Sequence, residues 1–286
     1  MRAIVSKGPQ AELEMVEVTP PVAGAGEVVV EARAIGVGRV DLIMRQVMPT
    51  DFIPGIEVSG IITSTGPDVD PNLVGQRVFA RVQAGGYSEQ VVTRAATIVA
   101  LPDDLSFEAG VAAGVNALVA HFCVTRTQVV AGETVVVRGA QGGIGHIAVQ
   151  MASALGATVI ECAKSMPPVP ADVVIDLVAG PDTGAHIEQL RANGRYVMAG
   201  ISAGMPPSDF ASSLFGDFRR SRSISTLSLD TVTDTDLNVA ADKVFADVAA
   251  GRTSPVIAHK LVLEQANEAL YLLASGGVQG KIVLVP

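Results

Sequence analysis

The sequence predicts an α/β protein of two domains, and three features of the 286-residue chain support this fold class. The first hundred residues contain short β-branched runs separated by Gly, Pro and Asn, which is typical of a compact, barrel-like sheet. Residues 114–251 instead alternate strand-like and helix-like runs, which favours a parallel sheet. The tail returns to β texture, so one domain is predicted from 1–113 together with 252–286, and the second from 114–251.

The first domain begins with six strand-like runs. They are "AIVSKG", "LEMVEV", "EVVVEARAIGV", "VSGIITSTG", "QRVFARV" and "YSEQVV". The next segment, "AGVAAGVNALVAHFCV" (109–124), is short for a membrane span and is predicted to be a buried Ala-rich helix. The N-terminus shows no apolar signal region, so no secretion signal and no membrane association are expected.

The second domain is predicted to alternate between the two element types. In chain order the runs are strand "ETVVVRGA" (133–140), helix "GHIAVQMASALG" (145–156), strands "ATVIEC" (157–162) and "DVVIDLV" (172–178), helix "GAHIEQLRANG" (184–194), strands "RYVMAG" (195–200) and "SISTLSL" (223–229), and helix "TDLNVAADKVFADVAAG" (235–251). The tail adds strand "HKLVL", helix "EQANEALYLLASGG" and strand "KIVLVP".

One connection between predicted parallel strands contains no helix. The segment "AKSMPPVPA" (163–171) has three prolines in nine residues, which excludes a helix there. Nine extended residues reach roughly 30 Å. The return path down one strand and across two strand spacings is roughly 20 Å. An extended connector therefore suffices.

In "VVVRGAQGGIGHIAVQMA" a glycine-rich turn stands between a strand and a helix, with Gly139, Gly142, Gly143 and Gly145. Glycines in this context permit a tight turn and bring the backbone close to a pyrophosphate, which the helix N-terminus then binds. The turn predicts a dinucleotide site. The residues expected to line it are Ala140, Gln141, Gly142, Gly143, Ile144 and Gly145.

Composition excludes other classes of function. With 49% apolar and 17% charged residues, a well-buried globular core is expected. The formal net charge of −9 argues against nucleic-acid binding, because neutralising phosphates requires clustered Lys and Arg, and "RRSR" (219–222) reads as an isolated solvated loop. Cys123 and Cys162 build no disulfide framework, so a cytoplasmic location is expected.

Eight segments, in order along nearly the whole chain, resemble a known family. They are "FIPGIEVSGIITSTGPDV" (52–69), "GQRVFA" (75–80), "GGYSEQVV" (85–92), "LPDDLSFEAGVAA" (101–113), "VVAGETVVVRGAQGGIG" (129–145), "DVVIDLVAG" (172–180), "RANGRYVMAG" (191–200) and "ASGGVQGKIVLVP" (274–286). The family is the zinc-free quinone oxidoreductase branch of the medium-chain dehydrogenase/reductase superfamily, which includes ζ-crystallin-like proteins and enoyl reductases. The resemblance implies a GroES-like β-barrel-type catalytic domain, a Rossmann doubly wound parallel sheet, NADPH between them, and a homodimer.

The Pro-rich connector departs from this family, which normally inserts helix–strand–helix at that point. Since the sheet order is 3-2-1-4-5-6, the lost strand is strand 3, at an edge, and the central pairing is expected to survive. The lost segment also supplies one wall of the adenosine site. Lys164 and Ser165 are expected to serve the 2′-phosphate, which favours NADPH over NADH; the alternative for Lys164 is an ordinary solvated lysine, and Glu161 can point either way.

Family resemblance also places "LVAG" (177–180) and "GISAG" (200–204) beside the nicotinamide, with backbone contacts expected from Val178, Gly180, Gly200 and Ile201. The zinc-dependent relatives carry a Cys near Gly38 and a His where Ile56 stands. Both are missing here, as is the four-cysteine structural lobe, so no zinc and no other metal is expected.

The substrate side is expected to come from "GVGRVDLIMRQVMP" (36–49). The apolar residues Ile43, Met44, Met48 and Phe52 would form an adaptable pocket for a small, flat, apolar electron acceptor. The family has Asn at Gly38 and often tyrosines around Ile43 and Met48, and because these groups are missing no proton donor is assigned.

Three polar side chains are candidates for chemistry: Asp41, Arg45 and Tyr87. The alternative for Asp41 and Arg45 is an i,i+4 ion pair on one helical turn, and that for Tyr87 is packing within the barrel. His121 and His146 lie on predicted helices and are expected to be structural.

Together these observations predict a zinc-free, NADPH-dependent oxidoreductase that reduces quinones or α,β-unsaturated carbonyl (enoyl) compounds by hydride transfer. One alternative is a repurposed scaffold, acting as a non-redox cyclase or isomerase or as a binding protein, in which coenzyme binding is weakened or lost. The other is an enoyl reductase acting on carrier-bound acyl chains, which the acidic surface does not favour.

Overall fold

A computed structural model describes residues 1–48, 51–163 and 166–286. Within them the elements are, in chain order, β1 (Arg2–Ser6), β2 (Leu13–Glu17), β3 (Glu27–Val37), α1 (Arg39–Val47), β4 (Glu57–Thr65), β5 (Arg77–Arg81), β6 (Gln90–Arg94), β7 (Ile98–Ala100), α2 (Phe107–Arg126), β8 (Thr134–Arg138), α3 (Gly145–Ala154), β9 (Thr158–Cys162), β10 (Ala171–Asp176), α4 (Thr183–Glu188), β11 (Leu190–Met198), α5 (Ser212–Gly216), β12 (Ser223–Thr226), α6 (Asp234–Ala249), β13 (Ile257–Val262), α7 (Ala266–Ser275) and β14 (Lys281–Val285). They form two compact units: Met1–Val115 with Asp234–Pro286, and Asn116–Thr233.

The first unit contains a seven-stranded, mostly antiparallel sheet in the order β13-β14-β3-β4-β5-β7, with β6 also paired to β3, and a separate β1–β2 ribbon. The β-branched run in β3 places Val28, Val30 and Ile35 in the core, where α7 adds Leu270. Both chain ends contribute strands to this sheet, since β14 pairs with β3.

Helix α6 groups with the first unit, whereas the sequence-based boundary at residue 251 assigned it to the second. The reason is packing. Phe245 on α6 is buried and meets the buried ring of Phe79 on β5 edge to face, with centroids 5.4 Å apart. An aromatic contact of this kind stabilises the helix against the sheet in a way that sequence periodicity does not report.

Helix α2 is the Ala-rich helix that the sequence predicts, and 61% of its apolar 18-residue window is buried within the protein. It is long and apolar enough to pass a length-and-composition test for a membrane span, but burial of this extent is typical of a core helix. The helix breaks at Gly114 (φ 18°, ψ −124°). A Cβ there would lie 2.5 Å from Oε2 of Glu57, which accepts a hydrogen bond from the Val115 amide at 2.9 Å.

The second unit contains a five-stranded, wholly parallel sheet in the order β12-β11-β10-β8-β9. These strands correspond to 6-5-4-1-2 of the doubly wound order, so the predicted loss of strand 3 is confirmed and β9 becomes an edge. Residues 166–170 of the connector form neither helix nor strand, and β10 begins at Ala171. Its Val169 packs with Ile160 against the sheet core.

The predicted helix over 184–194 is too long. Helix α4 ends at Glu188, and β11 begins at Leu190, which is fully buried and pairs with Ala171. Asn193 also adopts a positive φ of 61°, which a helix does not accommodate. Burial of Leu190 in the sheet core therefore outweighs the local helical pattern.

Candidate functional site

The parallel strands of the second unit end level with one another. Arg138, the last residue of β8, is in register with Asp176 on β10 and with Cys162 on β9, and Asp176 is in register with Met198 on β11. The loops that follow these residues consequently lie along one edge of the sheet. In open α/β sheets this carboxyl edge is where ligands bind.

The glycine turn is tightly packed at this edge. Gly139 has a φ of 78°, and its carbonyl accepts a hydrogen bond from the Gly142 amide at 3.0 Å. A Cβ on Gly145 would lie 2.1 Å from the Gly139 carbonyl oxygen and 2.7 Å from Cα of Ala140, so only glycine fits there. Helix α3 starts at this glycine, immediately against the turn.

The N-terminus of α3 is open toward an anion. Its N-cap residue, Ile144, provides no side-chain cap. The first amides of a helix have no acceptor within the helix, and the helix dipole makes this end positive. Gln141 is exposed and Gly142, Gly143 and Ile144 are half-buried, whereas Ala140 is buried inside the turn. The turn thus offers a backbone cradle of the kind that binds phosphate oxygens.

Two further loops lie at this edge, and the first of them contacts the turn. The Ala203 amide donates to the Val178 carbonyl at 2.8 Å, which joins the loop after β10 to the loop after β11. A Cβ on Gly200 would lie 2.5 Å from the Leu177 carbonyl oxygen, and one on Gly139 would lie 3.1 Å from Cγ2 of Val178. The structure therefore brings together the turn and both predicted nicotinamide loops.

The remaining predicted coenzyme residues have mixed outcomes. Gly180 has a φ of 88° and packs beside Ala203, and Ile201 is exposed in the loop after β11. Lys164 and Ser165, expected near the 2′-phosphate, lie outside the described residues. Glu161 is exposed on the edge strand β9. Which group meets the adenosine end stays a prediction.

A buried polar network lies beneath this edge, and sequence reasoning missed it. Asp176 is fully buried; its Oδ1 accepts the amides of Val178 at 2.8 Å and Ala179 at 2.9 Å. Its Oδ2 accepts from Arg138 Nη1 at 2.7 Å and from the hydroxyl of Tyr196. The available signal was the charged last residue of two apolar runs, "VVVR" and "VVID".

Arg138 extends the network to a second carboxylate. Its Nη2 donates to the Ala179 carbonyl at 3.2 Å and to Oδ1 of Asp182 at 2.5 Å. Burial, with Asp176 next in effect, raises the pKa of Tyr196 well above its ordinary value, so the hydroxyl remains a proton donor. Burial also lowers the pKa of His186, which lies 3.7 Å from Asp182.

In the first unit, Asp41 is fully buried on α1 and does not pair with Arg45 as the helical spacing predicts. Its Oδ2 accepts the Gly38 amide at 2.8 Å and the Tyr87 hydroxyl at 3.0 Å. Arg45 turns the other way and donates to the carbonyls of Gly8, at 3.3 Å, and Ala11. The expected i,i+4 ion pair is wrong because each side chain finds a tertiary partner.

Burial raises the pKa of Asp41 to about 6, and the hydrogen bond from Gly38 opposes the shift. Tyr87 is also fully buried and belongs to the hydrophobic core of the sheet, as its packing alternative predicted. Burial, together with Asp41, raises the pKa of the Tyr87 hydroxyl well above its ordinary value. Neither group reaches solvent.

A second buried ion pair lies near Gly38. Lys281 Nζ bonds Oε1 of Glu57, and both side chains are almost completely buried. The same ammonium lies 3.8 Å from where a Cβ on Gly38 would stand.

Among the residues the structure describes, no cluster of three or more His, Cys, Asp or Glu side chains is arranged to hold a metal. An ammonium group is not a ligand for zinc, and the Glu57 carboxylate is already paired with it, so these residues do not fit a zinc ion.

The predicted substrate residues lie on and after α1. Ile43 and Met48 are exposed, Met44 and Phe52 are half-buried, and the Phe52 carbonyl accepts the Ser6 amide at 2.8 Å. A pocket formed by these side chains stays a prediction.

The two helical histidines occupy structural positions. His146 Nδ1 lies 3.0 Å from the Gly142 carbonyl oxygen at the start of α3. His121 on α2 packs edge to face on Phe122, with centroids 5.2 Å apart.

Comparison with known proteins gives consistent matches for both units. Residues 24–103 match the family model "Alcohol dehydrogenase GroES-like domain", and residues 157–284 match "Zinc-binding dehydrogenase". The chain is 26% identical to the quinone oxidoreductase of pig (Sus scrofa), covering 97% of this chain and 94% of the relative. That alignment runs over 320 positions, more than the 286 residues here, so the relative contains residues that this chain lacks.

Solved structures agree. The quinone oxidoreductase of Escherichia coli complexed with NADPH has a TM-score of 0.90 at 26% identity, covering 100% of this chain and 99% of that one. A structure described as an NAD-dependent alcohol dehydrogenase has a TM-score of 0.85 at 25% identity, with both chains fully covered. The order of the strands, the glycine turn and the full-length matches agree, and the chain is similar along its whole length to quinone oxidoreductases of the medium-chain dehydrogenase/reductase superfamily.

Proposed function

We propose that this protein is an NADPH-dependent oxidoreductase that reduces quinones or α,β-unsaturated carbonyl compounds without zinc. The observation that carries the proposal is the uncapped N-terminus of α3, packed against a glycine turn at the carboxyl edge of a parallel sheet. The relative from Escherichia coli, of the same fold, is described as complexed with NADPH, which supports this coenzyme.

The residues present fit a dinucleotide. The amides of Gly143 and Ile144 would hold the pyrophosphate, because they stand at the start of α3, and Gly142, whose own amide is bonded to Gly139, leaves room for it to approach. The loops at Val178 and Gly200 would contact the nicotinamide side. When bound, the coenzyme supplies the hydride, and the protein supplies orientation and polarity.

The site for the electron acceptor is proposed to be apolar, in contrast to the polar backbone cradle for the coenzyme. Ile43, Met44, Met48 and Phe52 offer apolar, flexible contacts for a flat electrophile. Zinc is not part of the proposal, because an ammonium and a carboxylate, Lys281 and Glu57, already neutralise each other beside Gly38. The proton that completes the reduction is proposed to come from solvent.

The preference for NADPH over NADH rests on Lys164 and Ser165 and is part of the proposal. A relative described as NAD-dependent makes the comparison of both coenzymes necessary. We also propose a cytoplasmic homodimer with no nucleic-acid or membrane partner, in line with the acidic net charge of −9.

The test is a coenzyme titration followed by turnover. NADPH and NADH are titrated separately, and binding is followed by nicotinamide fluorescence and by calorimetry. Micromolar binding of NADPH, followed by loss of absorbance at the nicotinamide band with at least one member of a quinone and enone panel, is the expected result. Binding without turnover of any acceptor would count heavily against the reductase.

One observation favours a second candidate. Among the residues that the structure describes, none forms strand 3 of the sheet, which in the family supplies a wall on the adenosine side of the site. A non-redox scaffold, such as a cyclase, isomerase or binding protein, would tolerate that loss. The same titration separates the two, since a repurposed scaffold binds neither coenzyme even at millimolar concentration. Reduction of carrier-bound acyl chains ranks below both, because an acidic protein docks an acidic carrier poorly.

A further inference from the structure

The buried guanidinium of Arg138 links the strand before the glycine turn to the loop after β10. It is the last residue of β8 and directly precedes the glycine turn, and only 4% of its side chain is exposed. Burying a charge is costly unless it is fully paired, so each bond it makes constrains its neighbours. One of those neighbours is the loop after β10.

That loop contains an unfavourable backbone conformation. Ala179 has a φ of 54°, a region that non-glycine residues seldom adopt. Its amide donates to Oδ1 of Asp176 at 2.9 Å, and its carbonyl accepts from Arg138 Nη2 at 3.2 Å. Asp176 and Arg138 are themselves joined at 2.7 Å. The peptide groups on both sides of the strained residue are thus held by the same ion pair.

The held loop also contacts the turn. Cγ2 of Val178 approaches Gly139 so closely that a Cβ there would be 3.1 Å away, and the Val178 carbonyl accepts the Ala203 amide. Displacement of this loop would therefore disturb the glycine turn and the loop after β11 as well. Asp182, half-exposed, binds the outer side of Arg138 at 2.5 Å and completes its pairing.

We propose that Arg138 is a positioning residue of the coenzyme site, which through Asp176 and the Ala179 carbonyl holds the 177–180 loop in its binding-competent conformation. This rests on the proposed function for its effect on coenzyme, but not for its effect on the loop. A fork-shaped guanidinium is required, because it donates in two directions at once, to a carboxylate and to a carbonyl. A lysine at this position would keep the charge and lose one of the two contacts.

Arg138→Met, Arg138→Lys and the double variant Arg138→Met/Asp176→Asn are compared. The double variant removes both buried charges and keeps an acceptor oxygen at 176, so it remains informative where Arg138→Met fails to fold. Arg195→Met is the control, since Arg195 forms an ion pair with Glu133 at 2.7 Å and donates to the Thr127 carbonyl, toward the other end of the same sheet. It is expected to lower the melting temperature and to leave coenzyme affinity unchanged.

Coenzyme affinity and amide hydrogen exchange are both measured. If the loop is competent only about a tenth of the time without Arg138, the NADPH dissociation constant rises about tenfold in the methionine variants, with partial recovery in the lysine variant. Hydrogen exchange at the Val178 and Ala179 amides is expected to accelerate most in the methionine variants and less in the lysine variant. In Arg195→Met these two amides are expected to exchange at the rate of the unmodified protein.

Unchanged affinity and unchanged exchange in the folded double variant would overturn the assignment and leave Arg138 a role in sheet stability alone. Should the unmodified protein bind neither coenzyme, the proposed function fails, and the exchange rates at Val178 and Ala179 then decide the positioning role independently.

Discussion

Replacing Gly145 with alanine tests the geometry on which the coenzyme site depends. The added Cβ would lie 2.1 Å from the Gly139 carbonyl oxygen, whereas ordinary van der Waals contact begins at 3.4 Å, so the turn must retreat by the difference of about 1.3 Å. The clashing atoms belong to the backbone of the turn and cannot rotate away. Forcing an extra methyl into a packed site typically costs about 1–3 kcal/mol.

The expected consequences are a less stable protein and a weaker coenzyme site. A loss of that size lowers the melting temperature by about 3–10 °C. A displacement above 1 Å should also raise the coenzyme dissociation constant roughly ten- to a hundredfold, because the cradle no longer matches the pyrophosphate. Thermal denaturation followed by circular dichroism and a fluorescence titration with NADPH measure the two effects.

Two other glycines serve as controls. A Cβ on Gly142 would meet only the Gly139 carbonyl oxygen, at 3.4 Å, and one on Gly216 in α5 would meet nothing within 4 Å. Gly142→Ala should therefore retain stability, and Gly216→Ala should retain stability and affinity. A Gly145→Ala protein with the melting temperature and affinity of the parent would refute the described packing of turn against helix.

Three further changes test the first unit. Because burial raises the pKa of Asp41 to about 6, the folded protein binds this proton more tightly than the unfolded chain does. The contribution of Asp41 to stability therefore falls as the pH rises from about 4 to about 6. Asp41→Asn should lack this pH-dependent contribution when urea midpoints are compared across the same range. Glu57→Gln leaves Lys281 charged and unpaired and should cost about 3–5 kcal/mol, and Glu57→Gln with Lys281→Met should cost less; equal losses in urea denaturation would contradict the pair. Phe245→Ala should cost about 3–5 kcal/mol by the same measurement, and a neutral result would argue against packing of α6 on Phe79.

Much of the fold follows from the sequence because the signals are local. Three prolines after β9 exclude a helix there, and the observed order of five parallel strands confirms the loss of strand 3 that the family resemblance implied. The strand–glycine–helix pattern likewise predicts the turn at Gly139–Gly145. The helix predicted over 184–194 is wrong in its second half, because Leu190 is buried in the sheet and pairs with Ala171. The residues around position 190 in the sequence carry no sign of this pairing.

The site was predicted less completely, since its polar contacts join residues far apart in the chain. Asp41 and Arg45 are spaced for a helical ion pair, yet Asp41 bonds Tyr87, which lies 46 residues away. Arg138 and Asp176 are 38 residues apart and meet only because β8 and β10 are neighbours in the sheet. Each contact depends on which strands are adjacent and in what register.

The sequence by itself determined the class of fold, the place of the glycine turn and the absence of a helix in the connector, because these depend on backbone conformations that glycine and proline control within a few residues. The tertiary structure alone decided which charges are buried and with which partners: Arg138 with Asp176, and Glu57 with Lys281 across 224 residues. A buried charge is stable only where a partner stands within hydrogen-bonding distance, and that distance is set by sheet register and not by spacing along the chain.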